Sequence, residues 1–533
     1  MRTSMEDEEK VKKSPKRISI AEIVEEIKKD NLLFHDVEDG VGYIAVDRKG
    51  DMVFRIDSQE CKKWIRNWFV KKYKRYGINS HNLEEVCGYL ASIAEIDGEE
   101  RRLGVRLFKE LDEYGNLKTI LYDTRNGMAV KITADGWLLV PTPPCFKHFP
   151  HQMKQVLPEQ TDTRNLEILR EFVNIEDDSD WLVFLVFLVT TMAPDSPSVL
   201  LAMQGDMGAG KSESLRMVVK LVDPSALIDG MKMTWRTEDL VRYASKNSIL
   251  FFDNLSKITD NQSDDLCKVC TGGALTVRRL YTNNDDEVYH ICRPVLISGI
   301  PRLISRSDLN DRAIMLTVKR IPENKRKTQA ELDACFNAAK PKILGAIFNV
   351  LADAIKKYRF IEPKEHPRSA DWYKIACSVA ACIDGHTQSE FELAFKRVKD
   401  RQLEYALDES PVAMAAKFLV DKCGGQWSGT ASSLLECDVS SAEEPLTNDE
   451  INYIQYLQEH PAWPKNASVL GKELARCRPL LGTLGIDMIH GENGKGIFKD
   501  NRRYIQLTDR NRKQDICPDT LFDINSNKEK NDE

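Results

Sequence analysis

The chain contains 533 residues, of which 42% are hydrophobic and 30% are charged, and these proportions are typical of a folded protein with several domains. They exclude a collagen-like protein, a coiled-coil rod and a wholly disordered chain. Lys and Arg total 76 against 83 Asp and Glu, so a surface that binds nucleic acid must be a local basic patch, not a property of the whole chain.

The N-terminal part is predicted to be an α+β accessory domain over residues 18–150. Residues 1–17 mix acids and bases with no apolar run behind them, which predicts a disordered tail, not a secretory signal, and a cytoplasmic protein. In the domain, helical periodicity is followed by short apolar runs separated by turn signals, the pattern of a β-meander.

One predicted helix in this domain is strongly basic. Residues 61–77 carry seven Lys and Arg and no acid, so the polar face is a candidate phosphate-binding surface. Trp64 and Trp68 are four residues apart, which favours a place in the core over a base-stacking platform.

From about residue 161 the pattern changes to apolar strands alternating with helices, which predicts a parallel α/β sheet. The most apolar run, 181–192, is shorter than the roughly twenty residues of a membrane helix, so we expect a buried core helix and no membrane partner. The fold class is thus multidomain: the α+β N-terminal domain, an α/β domain with a helical extension at 161–358, a helical connector at 359–408, and a C-terminal domain at 409–512 before a disordered tail at 513–533.

The strongest signal is a strand that runs into GDMGAGKS and then into a helix, which is the complete P-loop pattern in its required context. Its glycines let backbone N–H groups converge on phosphate oxygens. Lys211 would place a charge at the β- and γ-phosphates, and the Ser212 hydroxyl would ligate Mg²⁺. The predicted cofactors are therefore ATP and Mg²⁺, held by Gly205, Asp206, Met207, Gly208, Ala209, Gly210, Lys211, Ser212 and Glu213.

Two later strands end in polar residues that would face the same site. Asp253 closes the strand ILFFD and is the expected second metal residue. Asn254 follows, where many ATPases carry a Glu, and an amide can orient water but cannot accept its proton. Ser298 closes the strand VLIS, where it could sense the γ-phosphate or be an ordinary turn serine.

Arginines follow this third strand. Arg302, Arg306 and Arg312 precede another apolar strand, and in a ring ATPase such an arginine can reach the γ-phosphate of a neighbouring subunit. We favour Arg312, with Arg306 second; the alternative is that they are solvated surface arginines.

The ordered set GDMGAGKS, ILFFDN, VLISGI and SDLNDRAIML, over about residues 199–318, resembles the AAA+ ATPases of the superfamily 3 and mini-chromosome-maintenance-like helicase group, as encoded by phages and bacterial mobile elements. Asn254 and Ser298 depart from the usual residues of that group. In the resembled helicases a hairpin between the second and third strands tracks the nucleic-acid backbone, which makes Arg278 and Arg279 candidate phosphate contacts. The alternative is a plain surface hairpin.

Near the C-terminus, helices precede a predicted β-hairpin with a glycine-rich basic tip, the order of a winged helix. Its candidate DNA contacts are Lys495, Lys499, Arg502 and Arg503. Winged helices also dock proteins, and this alternative stays open.

Together these features predict an ATP-driven DNA helicase or translocase that replicates a mobile genetic element as a homo-hexameric ring, on single- or double-stranded DNA and with other replication proteins as further partners. The competing interpretation is a nucleotide-switched initiator or loader scaffold without processive unwinding. A primase-helicase is disfavoured, because the N-terminal region shows no close pair of acids on one strand for a two-metal site.

Overall fold

The computed structural model describes residues 18–74, 77–193, 196–233, 236–278, 286–300, 303–304, 306–408, 410–442, 444–489, 497–499, 502–510 and 512. Its helices are α1 Ile20–Asp30, α2 Gln59–Tyr73, α3 Ser80–Ile96, α4 Asp178–Thr190, α5 Lys211–Val222, α6 Thr237–Ala244, α7 Asp260–Thr271, α8 Ser307–Asp311, α9 Gln329–Lys357, α10 Ala370–Ala380, α11 Gln388–Asp408, α12 Pro411–Lys422, α13 Ala431–Leu435, α14 Asn448–Glu459 and α15 Ala467–Thr483.

The strands of these residues form five sheets. They are β1 Leu32–Asp36, β2 Gly42–Ala45, β3 Val53–Arg55, β4 Glu99–Arg101, β5 Leu107–Leu111, β6 Leu117–Asp123, β7 Met128–Thr133, β8 Gly136–Pro141, β9 Leu200–Gln204, β10 Leu250–Leu255, β11 Ala274–Arg278, β12 Asp286–His290, β13 Val295–Gly299, β14 Ala313–Thr317, β15 Gln426–Gly429, β16 Ile486–Ile489, β17 Ile497–Lys499 and β18 Arg502–Asp509.

The chain divides into two compact units. The first spans Met1–Leu303 and Arg312–Phe395, and the second spans Ile304–Asp311 and Lys396–Glu533. No helix among the described residues is both long and apolar enough to cross a bilayer.

The first unit begins with a small mixed sheet in the order β3-β2-β1-β4, covered by three helices. Ser19, Ser58 and Asn79 start these helices, and each side chain accepts a hydrogen bond from a first-turn N–H. Apolar side chains at helical spacing then pack in one core, including Ile27, Ile65 and Leu90.

The predicted β-meander is present as the antiparallel sheet β5-β6-β7-β8. It packs against α9 and is joined to the end of α5 by Arg106, which is fully buried. The Arg106 guanidinium donates to Asp223 Oδ1 at 3.0 Å and to the Asp123, Met153 and Pro224 carbonyls at 2.8 to 3.1 Å. Asp223 also accepts from the Ser248 N–H at 2.9 Å, just before β10. One buried ion pair therefore connects the meander, α5 and β10.

The predicted parallel sheet has the order β10-β13-β9-β14. A parallel bridge from Met231 to Phe252 extends it by one position beyond β10. The strands are buried, as a sheet covered on both faces requires, and α4, the apolar run at 181–192, is buried along its length. Because the strands are parallel, their carboxyl ends meet at one edge.

Helical sequence follows the sheet, as predicted. Thr328 is the N-cap of α9 and forms a capping box with Glu331. The predicted helical connector at 359–408 contains two helices, α10 and α11, because the chain turns between them at Gly385, whose φ is +78°.

In the second unit, α12, α13, α14 and α15 surround a core with the sheet β15-β18-β16. Trp427, Leu470 and Leu507 are buried in this core. β17 pairs with β18 and forms a β-hairpin after the helices, with Lys499 opposite Arg502, whereas the predicted glycine-rich tip at 491–496 lies outside the described residues.

Candidate nucleotide-binding site

The P-loop lies at the carboxyl edge of the parallel sheet, between β9 and α5. Gly205 follows β9 with φ +151°, and a Cβ there would lie 2.2 Å from the Val318 carbonyl oxygen. Gly210 takes φ +75° immediately before α5 begins at Lys211. These glycines allow a tight turn that aims the first N–H groups of α5 at one point, an arrangement suited to a phosphate.

The loop is held in shape from two sides. Asn174 Nδ2 donates to the Ala209 carbonyl at 2.8 Å and to the Lys319 carbonyl at 2.7 Å. The Ile321 N–H donates to the Gly208 carbonyl at 3.3 Å. Sequence reasoning missed Asn174, because an asparagine 31 positions before Gly205 belongs to no local motif.

Lys211 points back into the loop. Its Nζ donates to the Gly205 carbonyl at 2.5 Å and to the Asp206 carbonyl at 2.9 Å. Partial burial lowers the pKa of the Lys211 ammonium. The ammonium group thus lies inside the loop that the sequence predicts to bind phosphates.

The predicted metal side of the site is assembled from three separate segments. Ser212 Oγ donates to Asp253 Oδ1 at 2.6 Å, and Ser298 Oγ donates to the same carboxylate oxygen. The two hydroxyl oxygens are 3.5 Å apart, and Ser298 is buried. One carboxylate with neighbouring hydroxyls fits Mg²⁺, which takes few protein ligands and keeps waters and substrate oxygens as the rest.

Asn254 has an unusual backbone. Its φ is +56°, in the left-handed region that asparagine adopts more readily than most residues. Its N–H donates to Asp253 Oδ1 at 2.9 Å and to Ser298 Oγ at 3.0 Å, and its side chain is exposed. The turn therefore holds the Asp253 carboxylate in place and leaves the side-chain amide of Asn254 exposed to solvent.

Two further residues of the predicted P-loop set, Met207 and Glu213, place their side chains away from the loop. Met207 is 91% exposed, so it contributes nothing to the core. The Glu213 carboxylate contacts Arg216 in the next turn of α5 at 2.9 Å and accepts from Gln329 of α9 at 2.9 Å, which places its side chain against α9. Only the Glu213 backbone, in the first turn of α5, can face a phosphate.

A basic side chain that sequence reasoning did not single out also lies beside the loop. Arg326 Nη2 is 3.1 Å from the position that a Cβ on Gly208 would take. Arg326 Nε donates to the Ile321 carbonyl at 3.3 Å, which fixes the side chain after β14. A signal existed in the basic run at 319–327, but only the fold brings it to the P-loop.

Arg312 lies at the opposite edge of the sheet. It precedes β14, whose first residue Ala313 pairs with Leu200 at the start of β9, whereas the P-loop follows the end of β9. Five residues of strand, about 16 Å, separate the two edges. Arg312 is partly exposed, and its Nε has no hydrogen-bond partner among the described residues. It cannot serve the P-loop of its own chain.

Arg306 lies just before α8 in the second unit, and its guanidinium contacts Asp308 at 3.3 Å. Arg302 lies outside the described residues. The structure therefore pairs Arg306 locally and places Arg312 at the sheet edge away from its own P-loop.

Four of the six predicted DNA contacts lie on the backbone of hairpin strands. Arg278 closes β11, which pairs with β12 in register from Ala274 opposite His290 to Arg278 opposite Asp286. Lys499 lies on β17, Arg502 and Arg503 lie on β18, and Arg279 and Lys495 lie outside the described residues.

Two protein-family models match the chain. The model of the actinomycete integrative conjugative element replication protein matches residues 166–391, which contain the whole nucleotide site. The model of the AICE RepA C-terminal domain matches residues 412–520. A search of curated proteins found no match.

Solved structures were also compared. The structure titled "SCCmec type IV Cch - active helicase" is 13% identical, with 90% of this chain and 92% of that chain covered and a TM-score of 0.45. The apo structure of the NrS-1 C-terminal region is 12% identical, with 90% and 96% covered and a TM-score of 0.36. Over its nucleotide site and its C-terminal region, the chain is thus similar to replication proteins of actinomycete integrative conjugative elements.

Proposed function

We propose that this protein is an ATP-driven DNA helicase or translocase that replicates a conjugative element as a hexameric ring. The observation that carries the proposal is the convergence of Lys211, Ser212, Asp253 and Ser298 at the carboxyl edge of one parallel sheet. These residues come from three separate motifs, and ATP hydrolysis requires such phosphate-binding and metal-binding residues to lie together at one site. The family match over residues 166–391 supports a role in replication.

In this proposal each side chain has a separate task. The N–H groups of the P-loop and the Lys211 ammonium bind the phosphates, which releases Lys211 from the Gly205 and Asp206 carbonyls. Ser212 and Asp253 would hold Mg²⁺, which neutralises charge on the β- and γ-phosphates when bound. Asn254 orients the attacking water without taking its proton.

The position of Arg312 supports a ring. An arginine at the sheet edge away from its own P-loop can stabilise the transition state only on a neighbouring chain. In the same proposal, the β11–β12 hairpin contacts the DNA backbone, and the C-terminal helices and hairpin act as a winged helix.

The absence of an acid at position 254 favours a second candidate function. A protein that binds ATP and turns it over slowly suits a nucleotide-switched initiator or loader scaffold. The two candidates differ in whether hydrolysis is coupled to strand separation.

The test is ATP hydrolysis with and without single- and double-stranded DNA, run beside a strand-displacement assay. We expect hydrolysis that DNA stimulates, together with displacement. Lys211→Ala should abolish both while the protein stays folded, because Lys211 supplies phosphate charge and no core packing. Tight ATP binding without displacement would support the scaffold, and normal hydrolysis by folded Lys211→Ala would contradict the nucleotide site itself.

A further inference from the structure

Helix α2 in the first unit has a buried apolar side and an exposed side that carries most of its unpaired basic residues. Cys61, Ile65 and Phe69 are buried in the core shared with α1 and α3. Trp64 and Trp68 pack against the same core, and the Trp68 ring meets the Tyr73 ring edge-on at 6.0 Å. The aromatic rings of this helix are therefore used for folding, and none is left as a platform for stacked bases.

The basic residues divide into two classes. Lys62 forms an ion pair with Glu84 at 2.8 Å, and Lys72 forms one with Glu26 at 2.8 Å. The other class consists of exposed side chains with no ion pair among the described residues: Lys63, Arg66, Lys71 and Lys74. We call these four residues the basic face.

The basic face lies on one side of the helix, with exposed Val70 between its residues. At 100° per residue Lys63, Arg66 and Lys71 fall within an arc of about 140°, whose centre is opposite the buried positions 61, 65 and 69, and Lys74 follows as the C-cap. From Lys63 to Lys74 the basic face is about 16 Å long at 1.5 Å per residue. One strand of duplex DNA carries about five phosphates over that length.

We infer that the basic face of α2 binds the phosphate backbone of DNA without reading the bases. The inference rests on the proposed function for the identity of the polyanion, which is DNA. It adds a DNA-binding site on α2 in the first unit. A membrane surface is disfavoured, because a helix that lies in a bilayer inserts its apolar face, and the apolar face of α2 is already occupied by the core.

The experiment compares two matched variants of the full chain. Lys63→Gln with Lys71→Gln removes two charges of the basic face, whereas Lys62→Gln with Lys72→Gln removes the two neighbouring charges that are already paired. Both variants lose the same net charge from the same helix. Affinity is measured for single-stranded and duplex oligonucleotides of several sequences over a range of salt concentrations, and thermal unfolding checks that both variants are folded.

We expect the basic-face variant to lose affinity for all sequences alike, and its salt slope to fall by up to roughly 1.8 on duplex and roughly 1.4 on single strands. The control variant should keep most of its affinity, because its charges are already compensated. Equal losses of DNA affinity in both variants, or no loss in either, would overturn the inference. If neither variant loses affinity, an acidic protein is left as the partner of the basic face. ATP hydrolysis by the unmodified protein without DNA tests the proposed function separately.

Discussion

Two hydroxyl side chains from different parts of the sequence meet at one carboxylate in the nucleotide site. Asp253 accepts hydrogen bonds from Ser212 and Ser298, and the Asn254 N–H donates to both Asp253 and Ser298. Ser298 thus both donates and accepts, and it is 1% exposed. This dual contact argues against an ordinary turn serine and for a residue that sets the orientation of Asp253.

Ser298→Ala tests that interpretation. Removal of the hydroxyl leaves Asp253 with one donor fewer and the Asn254 N–H with one acceptor fewer, at a cost of about 1–3 kcal/mol where the groups are buried. We expect kcat for ATP hydrolysis to fall by about tenfold or more, with a smaller change in KM. An unchanged kcat in a folded variant would mean that Ser298 is an ordinary turn residue.

Asn254→Asp tests the missing base. Asp has the same length as Asn and tolerates the left-handed φ of +56°, so the change adds a proton acceptor with little strain. We expect ATP turnover to rise, by up to about a hundredfold if the carboxylate takes the proton of the attacking water. Asn254→Glu should also raise turnover but lower the melting temperature, because Glu is strained at this φ. No gain in either variant would mean that position 254 does not face the water.

At the scale of the elements, the contact between the meander and α5 depends on the buried pair of Arg106 and Asp223. Their side chains are 0% and 2% exposed and 3.0 Å apart. Removing the partner of a buried charge lowers the free energy of unfolding far more than removing the partner of a surface charge.

Arg106→Met should lower the free energy of unfolding by about 3–5 kcal/mol, because the Asp223 carboxylate would stay buried without its cation. Arg102→Met is the control, since Arg102 and Glu38 form an exposed pair at 3.4 Å, and it should change stability by less than about 1 kcal/mol. Denaturant unfolding measures both. Equal effects of the two substitutions would show that Arg106 does not hold the elements together.

The elements themselves follow largely from local patterns. Turn residues between short apolar runs indicated the meander, and the P-loop glycines indicated the strand–loop–helix order. What local patterns could not indicate are contacts between distant segments. Asn174 and Arg326 reach the P-loop only through the packing of the fold.

At the scale of the whole molecule, the site is incomplete within one chain if Arg312 acts on ATP. Arg312 is about one strand length from its own P-loop, and Leu200 N–H donates to its carbonyl at 2.9 Å, which fixes its place at the far edge. A second chain would have to supply the arginine for each nucleotide.

Mixing two inactive variants tests this arrangement. Arg312→Ala keeps the P-loop, and Lys211→Ala keeps the arginine, so some interfaces of a mixed ring contain one intact copy of each. With equal amounts in a random ring, about a quarter of the interfaces would be competent, and hydrolysis should recover to a comparable fraction of the unmodified rate. Each variant alone is the control. No recovery in oligomers shown to be mixed would mean that Arg312 does not act between chains.

The buried position of Arg106 also decides where the chain can be divided for biochemical work. A fragment that begins at residue 161 would keep Asp223 but lose the guanidinium that neutralises it, together with the Tyr122 hydroxyl that donates to the Leu221 carbonyl at 3.1 Å. The end of α5, which the meander covers in the full chain, would then be exposed to solvent. The smallest piece suited to nucleotide-binding measurements should therefore begin before Leu103, so that the meander stays with the P-loop.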